Sequence, residues 1–176
     1  MDAAHFVWGT SLVMGLWCIV RRFVRTSSGR KRYNVLGAYN AITQKLLTVV
    51  NESYINSASV CEMLRLLRLG HWGEPITVVL DNAGYQRCYL VREYAVLLDI
   101  NLVLLPSYSP NLNLIERLWK FVKKQSLNNC YYETFDAFKW GIETCLNEVD
   151  KKYKVQVASL MNLKFQTFKN NQIMAG

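Results

Sequence analysis

Two short, uninterrupted apolar runs do most to limit what this chain can fold into. ITVVL (Ile76 to Leu80) is bounded by Pro75 and Asp81, and NLVLL (Asn101 to Leu105) is closed by Pro106. Runs without polar alternation belong to strands covered on both faces. Between them, from about Arg87 to Leu98, lies a helical stretch. Strand, helix, strand at this spacing reads as a parallel βαβ unit, because parallel neighbours need a crossover.

The flanking segments extend the pattern. Tyr33 to Asn40 (YNVLGAYN) and Leu46 to Val50 (LLTVV) are rich in β-branched and aromatic residues and are split by a short polar link. They suit consecutive antiparallel strands in an opening meander. From Ser57 the period changes: Val60, Met63, Leu64 and Leu67 share one helical face, and this helix ends near Gly70. After the second apolar run, PSYSPNL supplies turn chemistry, with Ser109 as a cap ahead of Pro110. A helix to about Lys124 follows, with Leu112, Ile115, Trp119 and Val122 on one stripe; the periodicity places Trp119 in the core. Beyond Glu133, Phe135, Phe138, Ile142, Leu146 and Val149 mark another amphipathic helix. The expected fold is α/β with a mixed sheet flanked by helices. Residues 1–150 form the domain, and 151–176 a C-terminal helix and tail.

Composition narrows the partners. The chain has 176 residues, 51% of them hydrophobic, which suffices for one domain with a real core. Its net charge of +8 favours an anionic partner, nucleic acid before a membrane surface. Six basic residues, Arg21, Arg22, Arg25, Arg30, Lys31 and Arg32, stand around a TSSG turn without one acid, as in a basic hairpin. The apolar run from Phe6 to Val20 is too short to span a bilayer, and its basic pair follows rather than precedes it, unlike a signal peptide. It reads as a connecting segment, and no membrane role is expected. The five cysteines are scattered and never in a CxxC pair, so neither a disulfide framework nor a zinc ribbon is indicated, and a reducing cytoplasm is the simpler setting.

Two acids stand where chemistry is usual. Asp81 follows a buried strand directly, and open α/β sheets build their sites at the carboxyl ends of strands. Glu116 lies in the first turns of a helix starting past the neighbouring strand, where the helix dipole favours a carboxylate. Carboxylates brought together repel unless a cation joins them, and hard oxygen donors suit Mg²⁺ or Mn²⁺. Asp2 is the candidate for a third ligand. On pattern alone, Asp81-Asn82 equally reads as turn chemistry, Glu116 as an i, i+4 partner of Lys120, and Asp2 as a solvated terminal acid.

The joint arrangement goes further. From Ile76 to Lys124, LDNA follows a strand, LPxYSPxLNxIE precedes a helix, and RLWKxxK lies within it, with 34 residues between Asp81 and Glu116. This segment resembles the catalytic core of the mariner-like DDE-type transposases, specifically their bacterial insertion-sequence branch (insertion sequence six-thirty type). DAAHF (Asp2 to Phe6) is similar to the family's first motif, where the first catalytic aspartate ends an early strand. NVLGAYNAIT (Asn34 to Thr43) resembles the strand pair that follows. The sequence departs from many relatives at Gln86, where DNAxxH carries His, and at Ser107 and Leu114, where Pro is common.

The resemblance implies an RNase H-like fold whose first strand is truncated, since the chain starts one residue before Asp2, and a helix-turn-helix domain lacking at the amino end. It implies Asp2, Asp81 and Glu116 as catalytic residues and ligands of two ions, Mg²⁺ or Mn²⁺. The implied function is DNA cleavage and strand transfer in transposition, in the bacterial cytoplasm and nucleoid. The expected partners are transposon ends and target DNA, with a homodimer and a separately encoded DNA-binding domain as further partners. Arg21 to Arg32, together with Lys120, Lys123 and Lys124, would hold phosphates nonspecifically, or else form a solvated basic face. The alternative is a catalytically inactive or domesticated remnant that binds DNA nonspecifically. An RNase H-fold nuclease acting on RNA–DNA hybrids would share the metal chemistry but not the LDNA and YSPxLNxIE pieces.

Overall fold

The structure, a computed structural model, describes residues 1–9, 31–106 and 113–161. The elements run β1 (Asp2–Val7), β2 (Arg32–Tyr39), β3 (Leu46–Asn51), α1 (Ser57–Gly70), β4 (Ile76–Leu80), α2 (Tyr89–Leu97), β5 (Ile100–Leu104), α3 (Leu114–Ser126), α4 (Phe135–Asn147) and α5 (Lys154–Leu160). β1, β2 and β3 form an antiparallel meander, while β4 and β5 pair in parallel as expected but are not covered on both faces: burial alternates along each, and Val79 and Val103 are exposed. The mixed character expected of one sheet is thus divided between two hydrogen-bonded sheets. A bond of 2.7 Å from the Met1 amine to the Val79 carbonyl joins them.

β2 shows why the meander is sandwiched. Tyr33 and Val35 are buried in one cluster with Ile115, Leu118, Trp119, Val122, Phe138 and Ile142. Leu36, on the opposite face, is buried with Val60, Met63, Leu64, Val78, Leu80, Val91 and Ala95. A strand with alternate residues in two cores has helices on both sides. Here α3 and α4 cover one face, and α1 and α2 the other. Val157 and Met161 join the first core, so the short helix expected after residue 150 packs on the domain.

Local chemistry sets the helix ends. Asn56 and Ser59 exchange the two bonds of a capping box at α1, and the Thr134 hydroxyl caps α4 by accepting from the Ala137 amide. Arg68, in the last turn of α1, is buried without a carboxylate. Its guanidinium donates to the carbonyls of Leu98, Asp99, His71 and Glu74, tying the end of α1 to the α2–β5 connection.

Three expectations are corrected. β1 does not end at its aspartate: Asp2 opens a six-residue strand, paired with β2 along its length from Asp2 against Gly37 to Val7 against Arg32. Ala4 and Phe6 point into the core while His5 and Val7 face outward, so the apolar run read as a connector yields its first residues to a period-2 strand. α2 begins at Tyr89 rather than near Arg87, because Ala83 to Arg87 form a turn in which the Gln86 and Arg87 amides both donate to the Ala83 carbonyl. The described part of α3 begins at Leu114 with Asn113 as its N-cap; Ser109, Pro110 and Leu112 lie outside the described residues. No helix among the described residues is long and apolar enough to cross a membrane.

Candidate active site

Three elements deliver the three acids. Asp81 immediately follows β4, and Asn82 turns the chain there with a left-handed backbone (φ 60°), a conformation Asn tolerates better than most residues. The following turn is fastened by the Gln86 side chain, whose Oε1 accepts from the Ala83 amide at 3.2 Å. Asp2 opens β1 directly across the ladder from Gly37. Glu116 is the third residue of α3, the helix covering the face of β1 and β2 that carries Asp2, Ala4 and Phe6.

Gly37 fixes how closely α3 approaches. A Cβ there would lie 2.6 Å from two atoms of the Trp119 ring and 3.2 Å from Ile115 Cδ1. Only a residue without a side chain lets the indole rest on the strand at this point. Trp119 is only 4% exposed and sits edge-on to Phe6, with ring centroids 6.5 Å apart. It therefore belongs to the core, as its periodicity indicated. Glu116 is flanked by the two residues that touch Gly37, and Gly37 is paired with Asp2. The meander and α3 are thereby keyed together beside the acids.

Burial and the neighbouring acids both act on Asp2. Asp2 is half-buried, and its Oδ1 accepts the Ala3 amide at 2.7 Å. Burial foremost, then the charges of Asp81 and Glu116, push its carboxyl up to about 6, against the Ala3 amide and the amino terminus, which pull it down. Asp2 thus feels both other acids. Among the described residues no three His, Cys, Asp or Glu side chains already form a metal cage. The donor set nonetheless fits a hard divalent cation: all its atoms are carboxylate oxygens, and the repulsion acting on Asp2 is what such a cation would cancel.

Of the basic residues expected to hold phosphates, Lys120, Lys123 and Lys124 are exposed on α3, Lys123 lying 5.7 Å from the centre of the Phe6 ring. Lys31 stands 5.3 Å from the centre of the Phe135 ring, and Arg32 is exposed at the start of β2. Arg21, Arg22, Arg25 and Arg30 lie outside the described residues. The pairing of Gly37 with Trp119 was missed by sequence reasoning; a lone glycine within a strand-like run was its only signal.

Comparison with solved structures gives the fold. The chain is similar to the Mos1 strand transfer complex (TM-score 0.61, 13% identity, 92% of this chain and 54% of that one). It is also similar to the Mos1 transposase catalytic domain solved with Raltegravir and Mg (0.55, 12%, 93% and 84%). A third match is the intasome of simian T-cell lymphotropic virus with a PP2A regulatory subunit (0.53, 16%, 81% and 45%). The chain spans about half the length of the first of these. The shared fold is RNase H-like. No curated protein matches. The model of the DDE superfamily endonucleases matches residues 20–139, which is most of the chain, from the basic segment through both Asp81 and Glu116 into α4. This chain belongs to the DDE superfamily endonuclease family.

Proposed function

We propose that this protein is the catalytic domain of a mariner-like transposase that cuts DNA and joins strands at Asp2, Asp81 and Glu116, with Mg²⁺ or Mn²⁺, two ions, held by these carboxylates. The observation that supports the reading is the placing of acids at the start of β1, just past β4 and in the first turn of α3, with Asp81 and Glu116 adding to the effect of burial on the Asp2 carboxyl. Divalent cations held by these three carboxylates would supply Lewis-acid activation of the attacking oxygen and charge stabilisation for the leaving one. The chain's own residues supply hard oxygen donors, keep the Asp81 turn closed through Gln86, and hold α3 at its short distance through Gly37. Lys120, Lys123 and Lys124 contribute phosphate contacts that are indifferent to sequence.

The DNA partners are transposon ends and target, and acting on two ends calls for a pair of subunits. The setting is the bacterial cytoplasm. The test is Mn²⁺- or Mg²⁺-dependent nicking of supercoiled plasmid by the purified chain beside Asp81→Asn. Nicking that requires the metal and is lost in the variant supports the reading. Nicking that persists in Asp81→Asn, or that ignores chelation, refutes it.

A further inference from the structure

A cavity of about 320 Å³ opens between α2 and β5, outside the acid site. Its wall includes Arg87, Arg92 and Asn101, with Val96, Ile100 and Leu102 as apolar lining, and Gln86 forms part of its floor. No carboxylate lines it, so its two guanidiniums are not neutralised from within. Neither guanidinium has a hydrogen-bond or ion-pair partner among the described residues. Arg87 lies just ahead of α2 and Arg92 is its fourth residue, and the cavity continues along the helix past Ala95 and Val96.

Gln86 adds a buried amide to the lining. None of its surface is exposed, its Oε1 is taken by the Ala83 amide, and its Nε2 makes no hydrogen bond of full geometry, though the side chain interacts with the Tyr85 hydroxyl. A buried amide donor without a full hydrogen bond costs about 1–3 kcal/mol, part of which an acceptor reaching it would recover.

We propose that this cavity is a phosphate-binding subsite in which Arg87 and Arg92 clasp one phosphate and the apolar lining receives the sugar or base attached to it. Arginine suits this because its planar fork pairs two N–H donors with two phosphate oxygens. The volume exceeds what a bare phosphate needs and falls at the lower end of the range for small-ligand pockets, about 300–1,000 Å³. The proposal rests on the reading of the chain as a DNA-acting enzyme. The turn that follows Asp81 contributes Gln86 and Arg87 to the lining, so the cavity adjoins the acid site along the chain. A free mononucleotide offers the same chemistry.

The experiment compares wild type, Arg87→Ala/Arg92→Ala and, as a surface control, Lys154→Ala. Binding of a fluorescein-labelled duplex is followed by anisotropy across a salt series, and dAMP binding is measured by calorimetry on the same preparations. Loss of one phosphate contact lowers the slope of log K against log salt by about 0.9. That drop in the double variant alone identifies the DNA strand as the occupant. An unchanged slope with dAMP binding lost in the double variant identifies a mononucleotide. An unchanged slope with no dAMP binding to wild type, or with equal binding to both, overturns the proposal. Melting temperatures confirm that the double variant is folded, as expected for two exposed side chains. Failure of the acid-site reading is scored separately, by plasmid nicking in Asp81→Asn.

Discussion

Gly37→Ala tests whether the close seating of α3 on the meander builds the site. The added methyl would meet two Trp119 ring atoms at 2.6 Å and Ile115 Cδ1 at 3.2 Å, whereas carbon atoms pack at about 3.5–4.0 Å. Relief requires roughly 1 Å of movement between β2 and α3. The indole cannot turn aside freely, because it is buried and braced by Phe6. Overpacking of this kind costs about 1–3 kcal/mol, and each kcal/mol lowers Tm by about 2–4 °C in a domain of this size. Glu116 rides on the same turn as Trp119, so its carboxylate moves relative to Asp2, and 1 Å of misplacement costs about 10²-fold in rate. The assay pairs thermal melts with metal-dependent plasmid nicking. Trp119→Phe removes the offending ring atoms, so Gly37→Ala/Trp119→Phe should recover nicking relative to Gly37→Ala, a coupling visible in a double-mutant cycle. Wild-type melting and nicking in Gly37→Ala, or strictly additive effects in the cycle, would refute the reasoning.

Two further outcomes are expected. Because the folded-state carboxyl of Asp2 is raised from 3.8 to about 6, the folded protein binds the extra proton in that interval; without metal, stability therefore falls as pH rises from about 4 to 6, by at most about 3 kcal/mol. Asp2→Asn keeps an oxygen for the Ala3 amide but has no charge to bury, so in chelator it should melt higher than wild type at pH 7 and lose the slope, while nicking disappears; an unchanged pH profile would contradict this. Arg68→Met leaves the carbonyls of Leu98, Asp99, His71 and Glu74 without their donor and should cost about 2–4 kcal/mol in urea titration, and a loss under about 0.5 kcal/mol would show that water replaces the guanidinium.

What the sequence disclosed follows from which interactions are local. ITVVL and α1 were legible because a continuous apolar run and an i, i+3, i+4 stripe are written within a few residues. Asp81 and Glu116 could be placed at strand and helix ends for the same reason. β1 was misread because its alternation, Ala4 and Phe6 inward against His5 and Val7, merges at once into a longer apolar run that hides the period of two. The start of α2 was misplaced because the Gln86 side chain closes a turn that a propensity reading takes for helix. The placing of Asp2 relative to the other acids depends on the β1–β2 register and on an indole lying over Gly37, and both are settled by partners 25 or more residues apart in sequence.

The division of strands into two sheets has a further implication. Asp2 opens a strand of one sheet and Asp81 closes a strand of the other, so the gap between them is not locked by a run of backbone hydrogen bonds. It rests on the bond from the Met1 amine to the Val79 carbonyl and on the side chains packed against α1 from both sheets, Leu36, Val78, Leu80 and Met63 among them. Such a spacing behaves like a shim. A methylene added or removed in that wedge, far from either carboxylate, would trim the distance between them in small steps, giving selection a way to tune the bite of the site without touching a ligand.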